Sequence, residues 1–208
     1  MSRNDWFRNE KWDATVETRF FEKLGRAKDK TQPLRIQAGY LAKRDPKAAL
    51  ALLDRYFALG EHFDKAQAFL DQAEAYLSLG AQAEAIQSLE KALQRERDFP
   101  NGKTNAWSRY ALLVAETKLN HLYDRALKVL RENPLGSHSF PVDVFRWHAA
   151  FALIADAQGM HNYAAESAAK ALGFADLTRS GFRYHPDVGL VGSNYDSLKR
   201  DLRRMVRT

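Results

Sequence analysis

The chain has 208 residues, 45% of them hydrophobic and 28% charged, with a formal net charge of +6. That composition supplies a sizeable core and is too apolar for a disordered chain. Cysteine is absent, which excludes a disulfide framework, a thiolate nucleophile and a Cys-ligated zinc.

Taken from the N-terminus, residues 1–11 carry Trp6 and Phe7 among charges and read as a docking arm or an irregular lead-in. The opening MSRNDWFRNEKWD has no apolar run of the kind a secretory signal needs. From Trp12 a stripe of Trp12, Val16, Phe20 and Leu24 at i, i+4 spacing, with Phe21 beside it, predicts an amphipathic helix over 10–28. A second helix begins near Pro33, with Leu34, Ile36, Ala38, Tyr40 and Leu41 as its apolar positions. Asp45-Pro46 ends that segment, because a residue before proline is pushed out of helical geometry. A third helix, 46–59, is apolar almost all round and is expected to be buried on most sides, with Gly60 as its C-terminal cap. Its run at 48–53 is the most apolar in the chain, yet Asp54 and Arg55 stop it far short of the roughly 18 residues of a membrane helix. A cytoplasmic protein with no membrane span is the expectation.

Helices over 63–79 and 82–97 follow, separated by Gly80. Residues 98–102 (DFPNG) are a turn signal. Helices over 103–119 and 121–132 come next, then the loop Asn133-Pro134-Leu135-Gly136-Ser137. Pro141 opens a helix to 158, Gly159 ends it, and an alanine-rich helix spans 161–175. Residues 178–194 have no helical period. Ser193 and Asp196 stand at capping-box spacing before a terminal helix, 195–207, in which Tyr195, Leu198, Leu202 and Met205 form the apolar stripe. No long period-2 alternation occurs, so the chain is expected to be all-α.

Ala73, Tyr76, Gly80, Ala85, Leu89 and Ala92 return as Ala152, Ala155, Gly159, Ala164, Ala168 and Ala171, each 79 residues further on. Small residues let two helices approach, and the glycine turns the chain between them. One helix pair cannot bury its own apolar face, so pairs stack. Residues 66–99 resemble a tetratricopeptide repeat at these signature positions, with Phe69 where the motif prefers tryptophan. Residues 145–175 resemble it as well. Residues 32–60 follow through Ala38, Ala49, Leu53 and Tyr56 with a shorter inter-helix loop. Residues 103–133 follow through Ala126, Leu130 and Asn133, with His121 in place of the turn glycine. The resemblance implies a right-handed α-solenoid of about four stacked helix pairs in a single domain. Residues 1–31 would form an N-terminal arm and helix, 32–175 the repeats, and 176–208 a capping loop and basic helix.

The resemblance also implies a groove lined by the first helix of each pair. Its positions here are Gln32, Arg35, Gly39 and Ala42, then Gln67, Leu70, Glu74 and Leu77, then Arg146, Ala149, Leu153 and Asp156. The Lys and Asn with which some family members grip a peptide carboxylate are missing. A non-enzymatic scaffold for a peptide or protein is therefore the expected function, with no cofactor.

Two features stand apart. Arg183, Tyr184, His185 and Asp187 are concentrated in the 181–191 loop. They read either as a ligand or acid–base site, with His185 as base and Arg183 as anion anchor, or as part of a structural cap in which Phe182, Val188 and Leu190 cover the end of the array. Lys199, Arg200, Arg203, Arg204 and Arg207 make the terminal helix basic. Nucleic acid is an alternative partner through that helix, although the 26 acidic and 32 basic residues interleave along most of the chain. No HExxH, Walker loop, GxGxxG or GxSxG occurs. Of the six histidines, His62, His121, His138, His148, His161 and His185, no two stand at i, i+4 on a predicted helix, so no metal site is expected. His148, beside Trp147 on an apolar helix, reads as a hydrogen-bonded and partly buried histidine.

Overall fold

The structure is a computed structural model that describes residues 5–136 and 139–207. The first four residues of the N-terminal arm, and Ser137 and His138, lie outside them. Every regular element among the described residues is helical. The chain divides into two compact units, Met1–Ala106 and Trp107–Thr208.

In the first unit a 3-10 turn, Asp5–Phe7, leads into α1 (Ala14–Arg26). α1 starts four residues later than its stripe suggested, because the Asp13 side chain accepts from the backbone N–H of Thr15 and Val16, both at 2.9 Å. A side-chain cap of this kind contributes about 1 kcal/mol. Trp6 and Phe7 are not free to dock a partner. Phe7 is buried, and Trp6 packs edge-on against it at 5.2 Å and against Phe20 at 5.4 Å. These aromatics belong to a core with Leu34, Ala38, Leu52 and Leu53.

α2 (Thr31–Leu41), α3 (Pro46–Phe57), α4 (Lys65–Ser78) and α5 (Gln82–Asp98) follow. α2 packs on both α3 and α4, and α4 packs along α5. Pro46 occupies the first turn of α3, where a missing N–H costs nothing, and Asp45 caps it through Ala48 N–H at 3.1 Å. α3 buries Ala49, Leu52, Leu53 and Tyr56, one face rather than most of its circumference. Ala73 and Ala75 of α4 and Ala85, Leu89 and Ala92 of α5 are all essentially inaccessible. Methyl-sized side chains let these helix backbones close on each other. A polar pair buried there is satisfied, with the Ser88 hydroxyl donating to Gln72 Oε1 at 3.0 Å.

In the second unit α6 (Ala106–Glu116), α7 (Tyr123–Glu132), α8 (Pro141–Ala157), α9 (His161–Ala175) and α10 (Asp196–Arg207) are present. α8 pairs with α9, and α10 packs across both. The α8–α9 seam repeats the alanine pattern through Ala152 and Ala155 against Ala164, Ala168 and Ala171. His148 is held as its neighbours suggested. Its Nδ1 lies 3.0 Å from Ser167 Oγ, and that hydroxyl donates to the His148 carbonyl. Burial, with the Lys170 charge nearby, lowers the proton affinity of the ring.

The turns after α4, α6 and α8 share one geometry, whereas the connection between α2 and α3 holds no left-handed residue. Gly80 has φ +74 and is followed by a hydrogen bond from Ala81 N–H to Tyr76 O; Gly159 has φ +76 and is followed by one from Met160 N–H to Ala155 O. Between α6 and α7 the same role falls to Lys118, with φ +54 and Leu119 N–H bonded to Val114 O. His121 is therefore not the turn residue. It sits in a 3-10 turn, Asn120–Leu122, that lengthens the connection and delivers Ala126 and Leu130 to their buried positions.

Ser193 and Asp196 do not form a capping box. The chain enters α10 through a 3-10 turn, Ser193–Tyr195, with Tyr195 N–H bonded to Gly192 O, and Asp196 pairs with Lys199 at 2.5 Å.

Candidate functional site

The first unit brings several of the expected groove positions together. Arg35 and Gly39 on α2, with Asp71 and Glu74 on α4, line a cavity of about 570 Å³, whose rim carries Lys43 and Arg44. The i, i+4 spacing of Arg35 and Gly39 places both on the α2 face turned to α4. Arg35 is held by two carboxylates: its Nε donates to Asp64 Oδ2 at 2.7 Å, and Nη1 lies 3.6 Å from Asp71 Oδ2, an ion-pair contact too long for a hydrogen bond. Asp64 also accepts from the Tyr56 hydroxyl at 2.6 Å. Burial, reinforced by that carboxylate, pushes the Tyr56 phenol well above its ordinary range, so it stays a donor.

Asp71 is the least ordinary group at this face. It is 9% exposed, and its Oδ1 accepts from Gln67 Nε2 at 2.8 Å. Its Oδ2 is buried without a hydrogen-bond partner. Burial raises its proton affinity to about 6, against the opposing pull of the Gln67 hydrogen bond and the Arg35 charge. Gly39 makes the approach possible, since a Cβ there would lie 3.2 Å from Asp71 Oδ2.

The remaining groove positions divide. Gln67 is engaged with Asp71. Leu70 is buried, so it is a core residue rather than a contact surface. Leu77 is half-buried and does not line the cavity. In the second unit Arg146 donates from Nε to the Tyr195 hydroxyl at 2.7 Å and from Nη1 to Asp143 at 3.2 Å, so α10's entry turn already occupies that part of α8. Burial raises the Asp143 carboxyl despite Arg146 beside it. Leu153 and Asp156 border a second cavity, about 550 Å³, with Lys118, Tyr123, Arg204 and Met205. Asp156 is paired with His161 Nδ1 at 3.0 Å.

The 181–191 loop docks on the start of α8. Phe182 packs on Phe140 at 4.7 Å, and Val142 N–H bonds Gly189 O at 2.8 Å. Gly189, at φ +76, presses against the Phe140 ring, where a Cβ would fall 2.3 Å from Cδ1. Ser180 ties the loop through the carbonyls of His185 and Pro186. Arg183, Tyr184, His185 and Asp187 are all exposed. Arg183 lies over the Tyr184 ring at 5.5 Å, while the side chains of His185 and Asp187 make no hydrogen bond among the described residues. The loop is anchored by its backbone and by Phe182, while Val188 remains half exposed.

On α10, Lys199 and Arg204 are paired with Asp196 and Asp201. Arg200, Arg203 and Arg207 are exposed. Among the described residues no three His, Asp or Glu side chains converge as metal ligands, and no helix is long and apolar enough to cross a membrane.

Sequence reasoning missed Asp71, Lys43 and Arg44. Asp71 carried one signal, an acid at i, i+3 from Glu74 on the side of α4 that also presents alanines to its neighbours. No protein-family model, curated protein or solved structure matches this chain.

Proposed function

We propose that the chain is a non-enzymatic, tetratricopeptide-like scaffold, a right-handed α-solenoid of about four helix pairs, that binds a peptide or protein segment on the face of the first helices. The observation that carries this reading is one turn geometry used three times. Gly80, Lys118 and Gly159 each hold a left-handed backbone, and each is followed by a hydrogen bond back to the residue four before it. Recurrence of the same turn, in two of the three cases between alanine-seamed helices, is what a repeat predicts. The cavity beside Arg35, Gly39 and Glu74 lies at positions that the resemblance assigns to the groove.

A photo-crosslinking residue at position 43, on the cavity rim, tests this against one at position 87, on the exposed side of α5. Capture of a defined partner from 43 only, competed by excess untagged protein, is expected. Equal capture from both positions, or none from either, would count against the scaffold.

A second reading has its own observation. Arg200, Arg203 and Arg207 recur at helical spacing, are exposed, and carry no ion pair among the described residues. They would meet nucleic-acid phosphates. With three contacts to a single strand, the log–log salt dependence has a slope of about −2. Binding that is absent or insensitive to salt removes this reading.

A further inference from the structure

We propose that the cavity of about 550 Å³ in the second unit is a receptor site for a neutral aromatic ring with one hydrogen-bonding tip, the phenol of a tyrosine side chain in a bound segment, seated against the Tyr123 hydroxyl. Leu153 and Asp156 on its wall are positions that the tetratricopeptide resemblance assigns to the groove. The claim that a peptide brings the ring therefore rests on the scaffold reading, while the chemistry of the site stands on this unit alone.

The cavity lies where the end of α6 and the start of α7 meet the last turns of α8 and α10. Tyr123, the first residue of α7, lines it and is only 4% exposed. Its hydroxyl makes no hydrogen bond among the described residues, yet the oxygen keeps accessible surface. With the ring enclosed, that oxygen is where Tyr123 meets the cavity. Burial raises the phenol above its ordinary proton affinity, so it stays protonated and can both donate and accept. A hydroxyl without a protein partner, set deep in a largely apolar wall, is the group that a ligand can satisfy.

Ala115, Leu153, Ala157 and Met205 supply that wall. The charged residues around it cancel, with Lys118 and Arg204 against Asp156 and Asp201. Asp201 is paired with Arg204 and Asp156 with His161, each at 3.0 Å. These four side chains are 49, 79, 44 and 72% exposed, so water and salt screen them. Asn120, also at the rim, is exposed and neutral. A charged ligand therefore gains no net attraction here and loses its hydration against apolar side chains.

A neutral ring loses little hydration on entry. Aromatic is favoured over aliphatic by two neighbours. The Met205 thioether suits the edge of a ring, and the Lys118 and Arg204 cations attract its π face. A bare ring, however, would cover the Tyr123 hydroxyl and leave it dry and unpaired. A phenol tip pairs with it, and a site with a buried hydroxyl discriminates against the analogue that lacks the matching group.

The test is an amide-resolved NMR titration of the full chain with four probes that share one ring. p-Cresol carries the phenol, toluene lacks the tip, and 4-methylbenzoate and 4-methylbenzylammonium carry charged tips. Saturable shifts around Leu153, Asp156 and Met205 are expected with p-cresol. Toluene should bind about fivefold more weakly, the value of one hydrogen bond, and the charged probes about tenfold more weakly. Tyr123→Phe removes only the hydroxyl. Its Tm should match the parent's, and p-cresol should lose its advantage over toluene. A capped pentapeptide with one tyrosine among glycines should bind about fivefold more tightly than its phenylalanine counterpart, and equally to it in Tyr123→Phe. A lowered Tm in Tyr123→Phe would give the hydroxyl a protein partner and overturn the site. So would an advantage for p-cresol that survives the substitution, charged probes that bind as well as p-cresol, or no saturable shift around the cavity. Binding of p-cresol without binding of the tyrosine peptide would overturn the bound segment as the source of the ring. The crosslinking comparison at position 43 uses neither these probes nor this variant, so failure of the site and failure of the scaffold are read separately.

Discussion

Replacing Asp71 by asparagine should stabilise the protein at neutral pH, although it removes a charge that sits beside Arg35. The folded chain holds the Asp71 proton up to about 6, against an ordinary value of 3.8. The cause is burial, which already outweighs the Arg35 attraction, so ionised Asp71 is a net cost to the fold. At roughly 1.36 kcal/mol per pH unit, that cost is about 3 kcal/mol, an upper figure because solvent reaches a small part of the side chain. The sign follows from proton binding. Between 3.8 and about 6 the folded state binds more protons at this site than the unfolded state, so stability falls as pH rises through that window. Below 3.8 the cost is absent, and above about 6 it is fully present. Asparagine keeps an oxygen for the Gln67 amide and carries no charge, but its NH2 group points toward Arg35 and gives back about 1 kcal/mol. Urea unfolding of both chains at several pH values measures the effect. The variant is expected to be more stable by about 1–3 kcal/mol near pH 7, with the two curves converging toward pH 4. Parallel pH profiles, or a variant less stable than the parent at pH 7, would refute the account of Asp71 as a buried, incompletely paired carboxylate.

Three further outcomes can be checked by melting curves. Ala85→Arg should unfold the protein, because Ala85 is fully buried in the α4–α5 seam and a long charged chain has neither room nor partner there; an unchanged Tm would sink the seam model. Lys118→Gly should raise stability by up to about 1 kcal/mol, and Lys118→Val should lower it by a similar or larger amount, since the position holds φ +54. The opposite order would mean the turn is not left-handed in solution. Tyr195→Phe should cost about 1–2 kcal/mol, because it leaves the Arg146 Nε, now bonded at 2.7 Å, without its acceptor where α10 enters. No measurable loss would place α10's anchor elsewhere.

The helices were readable because their signals are local. Spacing at 3.6 residues, proline at first turns and glycine at helix ends act within a few residues, and α9 runs from His161 to Ala175 as the pattern indicated. Misses came where a contact from outside the local window decided the matter. Residues 1–11 read as either a docking arm or an irregular lead-in, and the burial that removes the first reading for Trp6 and Phe7, against Phe20, is a long-range fact. His121 stands where the repeat expects its turn glycine, whereas Lys118 is the residue with the left-handed backbone, which a lysine does not advertise in sequence. One miss is itself local: Ser193 and Asp196 stand at capping-box spacing, yet Lys199, three residues on in the same turn, holds the carboxylate.

The candidate site divides along the same line. Periodicity put Arg35 and Gly39 on one face of α2 and Gln67 and Glu74 on one face of α4, because side-chain direction on a helix follows from residue number. Periodicity also put Leu70 on the groove side, but how deeply a residue sinks depends on how close the neighbouring helix comes, and here Leu70 is buried. Asp71 became the centre of the site through the same approach. Its burial, its unpaired oxygen and its contact with Gly39 exist only because α2 and α4 are packed together. The amino-acid sequence by itself determined the helices, their order and their apolar faces, through forces that act over a turn or two. Only the tertiary structure decided which charges lie deep, which are solvated and which acceptor lacks a donor, because desolvation is a property of the neighbours and not of the residue.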